Sequence, residues 1–480
     1  MSGEKNFLSH FLTIGSGTII NMFLALITTP VITRLVSPND YGEVSIFTMY
    51  ANIALMVLCL GLDQALVRFY YDKKNIEYKR GLLKICICIP TVISIICSVI
   101  IIFLSNKFQN LFEFQPLIMT LLCIYIIILI WNRIALLLLR TSYQSRKYAT
   151  CNVLYRAIYV VMAIGLITKV QTEFFLCLVI ANIVAMLIPT IFAIASTSEQ
   201  WKFNKAEKLK NKKEILLYGL PFILSMGLTS IFQAIDKMSL NKYCSYAEVG
   251  VYSSAMTLVS IFAIIQTTFN ALWSPMQIEH YVKDPEDKSF IQKGNQFITI
   301  IMFLLGFVLI LGKDIFALLL GEKYREAAYI LPFLIFNPIM YTVSETTQGG
   351  IDFSKKSYLN IVIALVACIT NYIGNTVLVP NLGCRGAAIS TGISYIVFFA
   401  GRTFFSKLLY PVDYKLWKFS IITIETIIYA YYNTFYKFSP ITIVLFCICV
   451  LSLILLYSQS LKNLINYGIK QLKDITRKKV

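Results

Sequence analysis

Histidine is almost missing from this chain of 480 residues; there are two, His10 and His280. Neither has a cysteine or carboxylate cluster beside it, which removes most metal-ligand spacings and most acid–base constellations. No Gly-x-x-x-x-Gly-Lys-Ser/Thr loop occurs, so ATP-driven pumping by this chain is not expected, and no nucleophile elbow is found. Charge is scarce too: 14% of residues are Asp, Glu, Lys or Arg, against about 25% in soluble domains. The apolar runs are joined by connectors too short to fold as a catalytic domain. These absences argue against an enzyme and leave no cofactor or metal to be expected.

What is present is apolar. Hydrophobic residues make up 57% of the chain and the mean hydropathy is +0.70. Runs of 18 or more apolar residues recur, and each is long enough to cross a bilayer as a helix. Residues 1–10 are short and polar and the run after them is full length, so it reads as a first span and not as a cleaved leader. The pattern predicts an all-α polytopic membrane protein with about fourteen transmembrane helices. The expected spans are residues 10–33, 43–66, 82–104, 116–139, 149–168, 173–196, 214–238, 249–273, 295–313, 328–350, 358–379, 385–408, 417–436 and 440–458. The longest polar interruption, residues 197–213, holds six lysines from Lys202 to Lys213. The chain then divides into an N-terminal six-helix bundle (1–200), a basic cytoplasmic linker (201–213), a C-terminal six-helix bundle (214–410), and two additional helices with a basic tail (411–480).

The net charge of +18 does not point to nucleic acid, because the basic residues sit in the connectors. Counted in alternate connectors, they favour one side by roughly three to one, and that excess places both termini in the cytoplasm. Most of the twelve cysteines lie inside apolar runs, where the thiol packs as a small hydrophobe. Cys244 and Cys384 fall in outward connectors, where a bridge between them is open.

One stretch occurs twice. Shifting the numbering by 208 lays Lys242, Ser245, Glu248, Gly250 and Ser253 on Arg34, Ser37, Asp40, Gly42 and Ser45. Each pair keeps its charge sign or its residue, and each copy joins the end of one apolar run to the start of the next. An internal repeat fixes architecture. Six spans return the chain to the cytoplasm before the second copy begins, so the halves are expected to be parallel bundles around a central cavity. Gly42 and Gly250 are read as permitting the bend of each hairpin, and Asp40 and Glu248 as capping the helix that follows. With Arg34, Asp236 and Lys237, these residues are expected to shape an outer gate.

Charges inside spans are costly and commonly face a cavity. Arg133 lies about seven residues, roughly 10 Å, inside the cytoplasmic end of the fourth span. Arg156 is expected at a similar depth in the fifth. Arg140 is seven residues, two turns, from Arg133 and so on the same face. The arginine fork suits phosphate, which it can grip with two parallel hydrogen bonds. The three therefore form a candidate diphosphate site, although Arg140 reads equally well as snorkelling to the interface. Asp63 and Arg68 end the second span; five residues apart, they do not share a face cleanly, so Asp63 is free to answer Arg133 or Arg156 or to carry a coupling proton. Glu345 and Gln348 near the end of the tenth span are further candidates for substrate contact.

Three passages resemble a known family. Arg34-Leu-Val-Ser-Pro-Asn-Asp-Tyr-Gly42 resembles the first-loop signature of bacterial polysaccharide-transporter flippases. Asp236-Lys237 followed by Ala247-Glu-Val-Gly-Val-Tyr-Ser253 is similar to that family's seventh-to-eighth span signature. Gly349-Gly350-Ile-Asp-Phe-Ser-Lys-Lys356 resembles its tenth-to-eleventh connector. The resemblance runs over essentially the whole chain and implies the multidrug/oligosaccharidyl-lipid/polysaccharide exporter superfamily, most like O-antigen or capsule flippases of the Wzx type. It implies a protein of the cell inner (plasma) membrane that moves undecaprenyl-diphosphate-linked oligosaccharide between leaflets by alternating access. Its implied partners are that lipid-linked substrate, membrane lipid, a proton or sodium ion for coupling, and the polysaccharide polymerase and chain-length regulator. A multidrug/cation antiporter of the same superfamily, a flippase for peptidoglycan precursors, and a non-transporting scaffold for glycan assembly are the alternatives.

Overall fold

A computed structural model describes residues 23–103, 115–170, 172–207, 209 and 212–462. Most of the first expected span lies outside these residues; the helix α1, Phe23–Leu35, is its described end. The described chain is helix joined by short turns, as long apolar runs require when every backbone group must be satisfied within its own segment. Nine of these helices are long and apolar enough to cross a membrane, or ten if one bent pair counts as a single span. By Cα proximity the chain falls into two compact units. One runs to Asn241 and takes in Ser245–Ser253; the other comprises Lys242–Cys244 and the chain from Ser254 onward.

The first unit contains α2 (Pro38–Leu58), the short α3 (Leu62–Phe69), α4 (Ile76–Phe103), α5 (Pro116–Thr141), α6 (Ser145–Val170), α7 (Phe174–Ser196), nearly all of α8 (Lys212–Tyr243), and the first turns of α9 (Tyr246–Val259). The repeated stretch opens α2 and α9. Ser37 caps α2, accepting from the Asp40 amide at 3.3 Å while its hydroxyl donates to the Asp40 carboxylate, with Pro38 at the first helical position. The cap is thus the serine, and Asp40 is the acid three residues on. In the second copy Ser245 accepts from the Glu248 amide at 3.5 Å.

Gly42 and Gly250 have a different job from the expected one. Neither sits in the bend; both lie within the first helical turns, where the two helices cross with almost no space between them. A Cβ on Gly42 would lie 1.7 Å from the Tyr246 carbonyl oxygen, and one on Gly250 would lie 2.0 Å from that of Pro38. Tyr246 is the repeat equivalent of Pro38, so the contact is reciprocal. The hydroxyls of Ser45 and Ser253, another equivalent pair, meet at 2.6 Å. Lys237 donates to Ser45 at 2.8 Å, and the Tyr252 hydroxyl donates to the Asp236 carboxylate at 2.6 Å.

Residues after α7 lie on this unit rather than hanging from it. Two 3₁₀ turns, Ser198–Trp201 and Phe203–Lys205, lead to a buried Leu209. The Trp201 ring stacks on Trp131 with centroids 5.8 Å apart. Arg80, almost wholly buried, donates to the Glu199 carbonyl at 2.8 Å and its carboxylate at 3.3 Å.

The second unit contains α10 (Phe262–Lys283), α11 (Ser289–Leu311), α12 (Lys313–Leu318), α13 (Ala327–Leu334), α14 (Phe336–Thr347), α15 (Gly349–Phe353), α16 (Tyr358–Leu409), α17 (Leu416–Phe435) and α18 (Pro440–Leu456). The eighth expected span is broken, with Tyr246–Val259 and Ile264–Lys283 meeting at 51°. At 52 residues, α16 would run about 78 Å as one rod. It does not, because Gly383 turns over at φ 54°, ψ −136° and makes two helices in series. No disulfide joins Cys244 to Cys384; the Cys244 thiol donates to the Val379 carbonyl at 3.7 Å.

The seat of the segment after α7 gives a first test. Arg80→Ala removes both hydrogen bonds to Glu199 and is expected to lower the midpoint of thermal unfolding and to speed proteolysis between Thr197 and Lys213. Lys202, hydrogen-bonded to Glu199, and then Arg80 hold that carboxyl below its usual range. A depressed carboxyl contributes above its unfolded value and loses that contribution as pH falls, so acidification should speed the same cleavage.

Candidate functional site

The site begins with how α2 stops. Leu60 and Gly61 both take left-handed backbone conformations, φ 52° and 64°, and end one helix before α3 begins. At Gly61 a side chain is excluded twice over, since a Cβ there would lie 2.1 Å from the Gly219 carbonyl of α8. The turn drops α3 into the unit with Leu62, Ala65, Leu66 and Phe69 packed on Leu82, Cys86, Ile134 and Leu138. Its other face presents Gln64 and Val67, and Tyr71 follows in the turn just past its end.

That face and one stripe of α5 enclose a cavity of about 560 Å³. The stripe runs through Leu129, Asn132, Arg133, Leu136 and Arg140, with Tyr148 of α6 and Leu55 of α2 completing the wall. Its charged lining residues are Arg133 and Arg140. The expectation that these two share a face corresponds to how they lie.

Asp63 stands behind the wall, 2% exposed, in the first turn of α3, where the helix dipole favours a carboxylate. Its Oδ2 accepts from Arg133 Nη2 at 2.7 Å and Nε at 3.0 Å, and from Gln64 Nε2 at 3.0 Å. Its Oδ1 is buried with no hydrogen-bond partner among the described residues. The Arg133 side chain is 31% exposed, so one edge of the guanidinium is bound to protein while the rest faces the cavity. Arg140 is exposed, with its guanidinium carbon 5.9 Å from the Tyr148 ring centroid. At the rim the Tyr71 hydroxyl donates to the Thr141 carbonyl at 2.8 Å, and Gln200 donates to Ser142 at 2.9 Å.

Other expected site residues lie elsewhere. Arg156 is not on this wall; it is half-buried among Tyr125, Tyr155 and Tyr159, 5.5 Å over the Tyr155 ring. The helix α6 begins four residues earlier than the expected span, so Arg156 sits deeper than assumed, and depth alone does not fix which way a helical residue faces. Arg68 pairs with Asp72 at 3.0 Å, four residues on and past the end of α3, with both side chains exposed. Arg34 is exposed. In the second unit, Glu345 accepts from Arg402 at 2.7 Å and from Gln348 at 3.1 Å, and Arg402 also donates to Ser344 at 2.9 Å. Arg402 lies over the rings of Phe398 and Tyr341 at 4.5 and 5.2 Å. Glu345 and Gln348 are thereby tied to α16 in a buried clamp. Arg402, Gln64, Tyr71 and Tyr148 are the residues that sequence reasoning does not single out.

The chain matches the polysaccharide biosynthesis protein family over residues 7–277, and it belongs to that family. Among curated relatives, the capsular polysaccharide biosynthesis protein CapF of Staphylococcus aureus is 23% identical over 238 residues, covering 47% of this chain and 59% of the relative. The probable low-salt glycan biosynthesis flippase Agl15 of Haloferax volcanii is 21% identical over 204 residues, covering 40% of this chain and 42% of the relative. The chain thus spans about half the length of these two relatives. Among solved structures, the lipid II flippase MurJ in an inward closed conformation superposes with a TM-score of 0.70 at 17% identity, covering 95% of this chain and all of that one. An inward-facing multidrug resistance MATE transporter of the MOP superfamily gives 0.64 at 13% identity, covering 81% and 94%. The fold is therefore that of MOP-type transporters, and the chain is a multi-span membrane protein.

The ion pair gives a second test. Arg133→Leu leaves the Asp63 charge buried and unpaired, and is expected to cost about 3–5 kcal/mol. The double variant Asp63→Leu/Arg133→Leu should recover most of that loss. Denaturation of the three proteins in detergent reads the difference, and equal losses in the single and double variants would mean the pair is not formed.

Proposed function

We propose that the chain is a transporter, not an enzyme, that carries a polyprenyl-diphosphate-linked oligosaccharide from the cytoplasmic to the outer leaflet of the plasma membrane. The observation that carries this reading is the cavity in which Arg133 is held rigid and half-open with Arg140 beside it. Two guanidinium groups on a polar, aromatic wall suit a diphosphate with a sugar attached: the forks take phosphate oxygens, and Gln64, Asn132, Tyr71 and Tyr148 offer amides and hydroxyls. The polyprenyl tail would stay in lipid, which avoids moving its apolar surface through water.

Membership of a polysaccharide biosynthesis family and the names of two relatives, one a capsular polysaccharide protein and one a glycan flippase, support the substrate class. We further propose fourteen crossings with both termini cytoplasmic, in the two-bundle division read from the sequence, with undecaprenyl diphosphate as the carrier of an O-antigen or capsule unit. The polymerase and chain-length regulator are partners on this reading. A cation antiporter would want an acidic cavity, and the charged wall residues here are arginines.

Purified protein in vesicles, given a lipid-linked oligosaccharide on one leaflet, tests this by enzymatic access from the other. Asp63→Leu/Arg133→Leu, folded by the criterion above, is expected to lose at least tenfold in rate. Unchanged transfer by that variant would remove the cavity from the mechanism.

The crossing of α2 and α9 is proposed as part of the outer gate. Its Ser45 and Ser253 hydroxyls are 2.6 Å apart, close enough for cysteines there to form a bond of about 2.05 Å with modest adjustment. Oxidised Ser45→Cys/Ser253→Cys protein should stop transporting and recover on reduction. Full activity with the cross-link in place would show that the crossing does not open.

A further inference from the structure

We infer that Lys237 is a second anion-binding group, placed at the crossing of α2 and α9, and that an anion bound there unlatches the crossing. The inference rests on the reading of the chain as a carrier of a diphosphate and of the crossing as its outer gate. It adds a phosphate contact outside the arginine cavity.

The reasoning starts from a cation that lacks a counter-charge. The Lys and Arg residues buried outright among the described residues each have a carboxylate beside them: Arg80 has Glu199 at 3.3 Å, Lys313 has Asp314 at 3.3 Å and Arg402 has Glu345 at 2.7 Å. Lys237, half-buried in α8, makes no ion pair among the described residues. Its one hydrogen bond goes to the Ser45 hydroxyl at 2.8 Å. The neighbouring Asp236 carboxylate accepts from the Tyr252 hydroxyl at 2.6 Å. An ammonium carries three N–H donors, so one is used here, and on a neutral partner. An unpaired cation within a span is costly and points to function by default.

The choice of lysine fits a moving contact. A guanidinium grips phosphate in a fixed fork, as Arg133 can from its seat on Asp63. An ammonium is a compact charge on a flexible stem and can follow one phosphate oxygen while helices shift.

Geometry ties this charge to the crossing. The Ser45 hydroxyl that accepts from Lys237 also meets the Ser253 hydroxyl at 2.6 Å, so α8, α2 and α9 are joined at one oxygen atom. Where Gly42 and Gly250 meet there is no room for a methyl group, so a phosphate takes the place of Ser45 on Lys237 only as the helices part. Lys237 then has two exclusive partners, Ser45 in the closed crossing and a phosphate oxygen in the parted one. An anion that binds the parted form alone shifts the equilibrium toward it by its own binding free energy.

Thiol labelling of the full chain in detergent, with inorganic pyrophosphate as the probe, tests this. Ser253→Cys places a thiol where the closed crossing buries it and leaves the Lys237–Ser45 hydrogen bond in place. Modification is read by mass spectrometry on the peptide carrying residue 253, because Cys88, Cys244 and Cys447 are exposed. Saturating pyrophosphate should speed modification by about tenfold, the factor that one hydrogen bond to a charged group supplies. Ser253→Cys/Lys237→Met should show no acceleration, and Ser253→Cys/Lys237→Arg should keep it. A purely structural Lys237 would alter the rate without pyrophosphate and leave the response to pyrophosphate intact. Equal acceleration in the Lys237→Met double variant would therefore overturn the proposal. So would an unaltered rate in Ser253→Cys while calorimetry shows that protein binding pyrophosphate; both results leave the arginine cavity standing. No pyrophosphate binding by the wild type would overturn the anion reading together with the proposal. If Lys237→Met does not fold, Lys237→Gln takes its place with the same expectations, and the response of Ser253→Cys alone still decides.

Discussion

The cavity of the first unit is organised by one ion pair, buried at Asp63 and half-open at Arg133, whose two members come from elements of different character. Asp63 arrives by a backbone turn and Arg133 by helical periodicity. The turn needs Gly61, because no residue with a side chain could both take its left-handed conformation and lie against the Gly219 backbone. The helix needs only a seven-residue spacing to bring Arg140 onto the stripe that holds Arg133. Without Asp63, Arg133 would be a long side chain free to leave the wall for the aqueous rim. With it, the guanidinium is held on one edge and presented on the other.

A different constraint governs the repeated stretch. Its two copies meet as equivalents, Gly42 against the residue matching Pro38 and Ser45 against Ser253. Close approach of two backbones is possible only where Cβ atoms are absent, so the glycines serve the crossing while Ser37 and Ser245 serve the caps. Half of the crossing is polar as well. Lys237 and Asp236 stand where the first copy has Thr29 and Thr28, so the contact is symmetric in backbone and asymmetric in charge.

Much of this was legible from residues alone, for identifiable reasons. Apolar run length marks the helices, because a bilayer sets a length that few other constraints imitate. The 208-residue offset marks the hairpin pair, and the Arg133–Arg140 stripe follows from helical geometry. What stayed hidden was azimuth and partnership. Arg156 is within its expected span, yet on a helix beginning earlier it turns toward tyrosines and not to the cavity. Arg68 is satisfied by Asp72 four residues on, a local pair visible in the sequence but less conspicuous there than Asp63. Arg402, near the expected end of a span at residue 408, passes for an interfacial residue until Glu345 is seen to meet it across two helices. The glycines suggest bends because sequence shows that a Cβ is missing without showing what lies where it would be.

The pairing of Arg133 with Asp63 also answers a question that a bare cationic pocket would raise. Two unopposed arginines would hold a diphosphate strongly, and a carrier that binds strongly on one side releases slowly on the other. On the proposed reading, a buried carboxylate competing for the same guanidinium would lower the affinity of the empty site without removing the fork offered to phosphate. It would also supply a place for Arg133 to return to, so that the charge would not be left unpaired once the proposed cargo had gone. Oδ1, with no hydrogen-bond partner among the described residues, fits this balance. A carboxylate with all its lone pairs satisfied would hold Arg133 too firmly to yield it, whereas one bound on a single oxygen keeps the arginine in place yet can give it up to an anion.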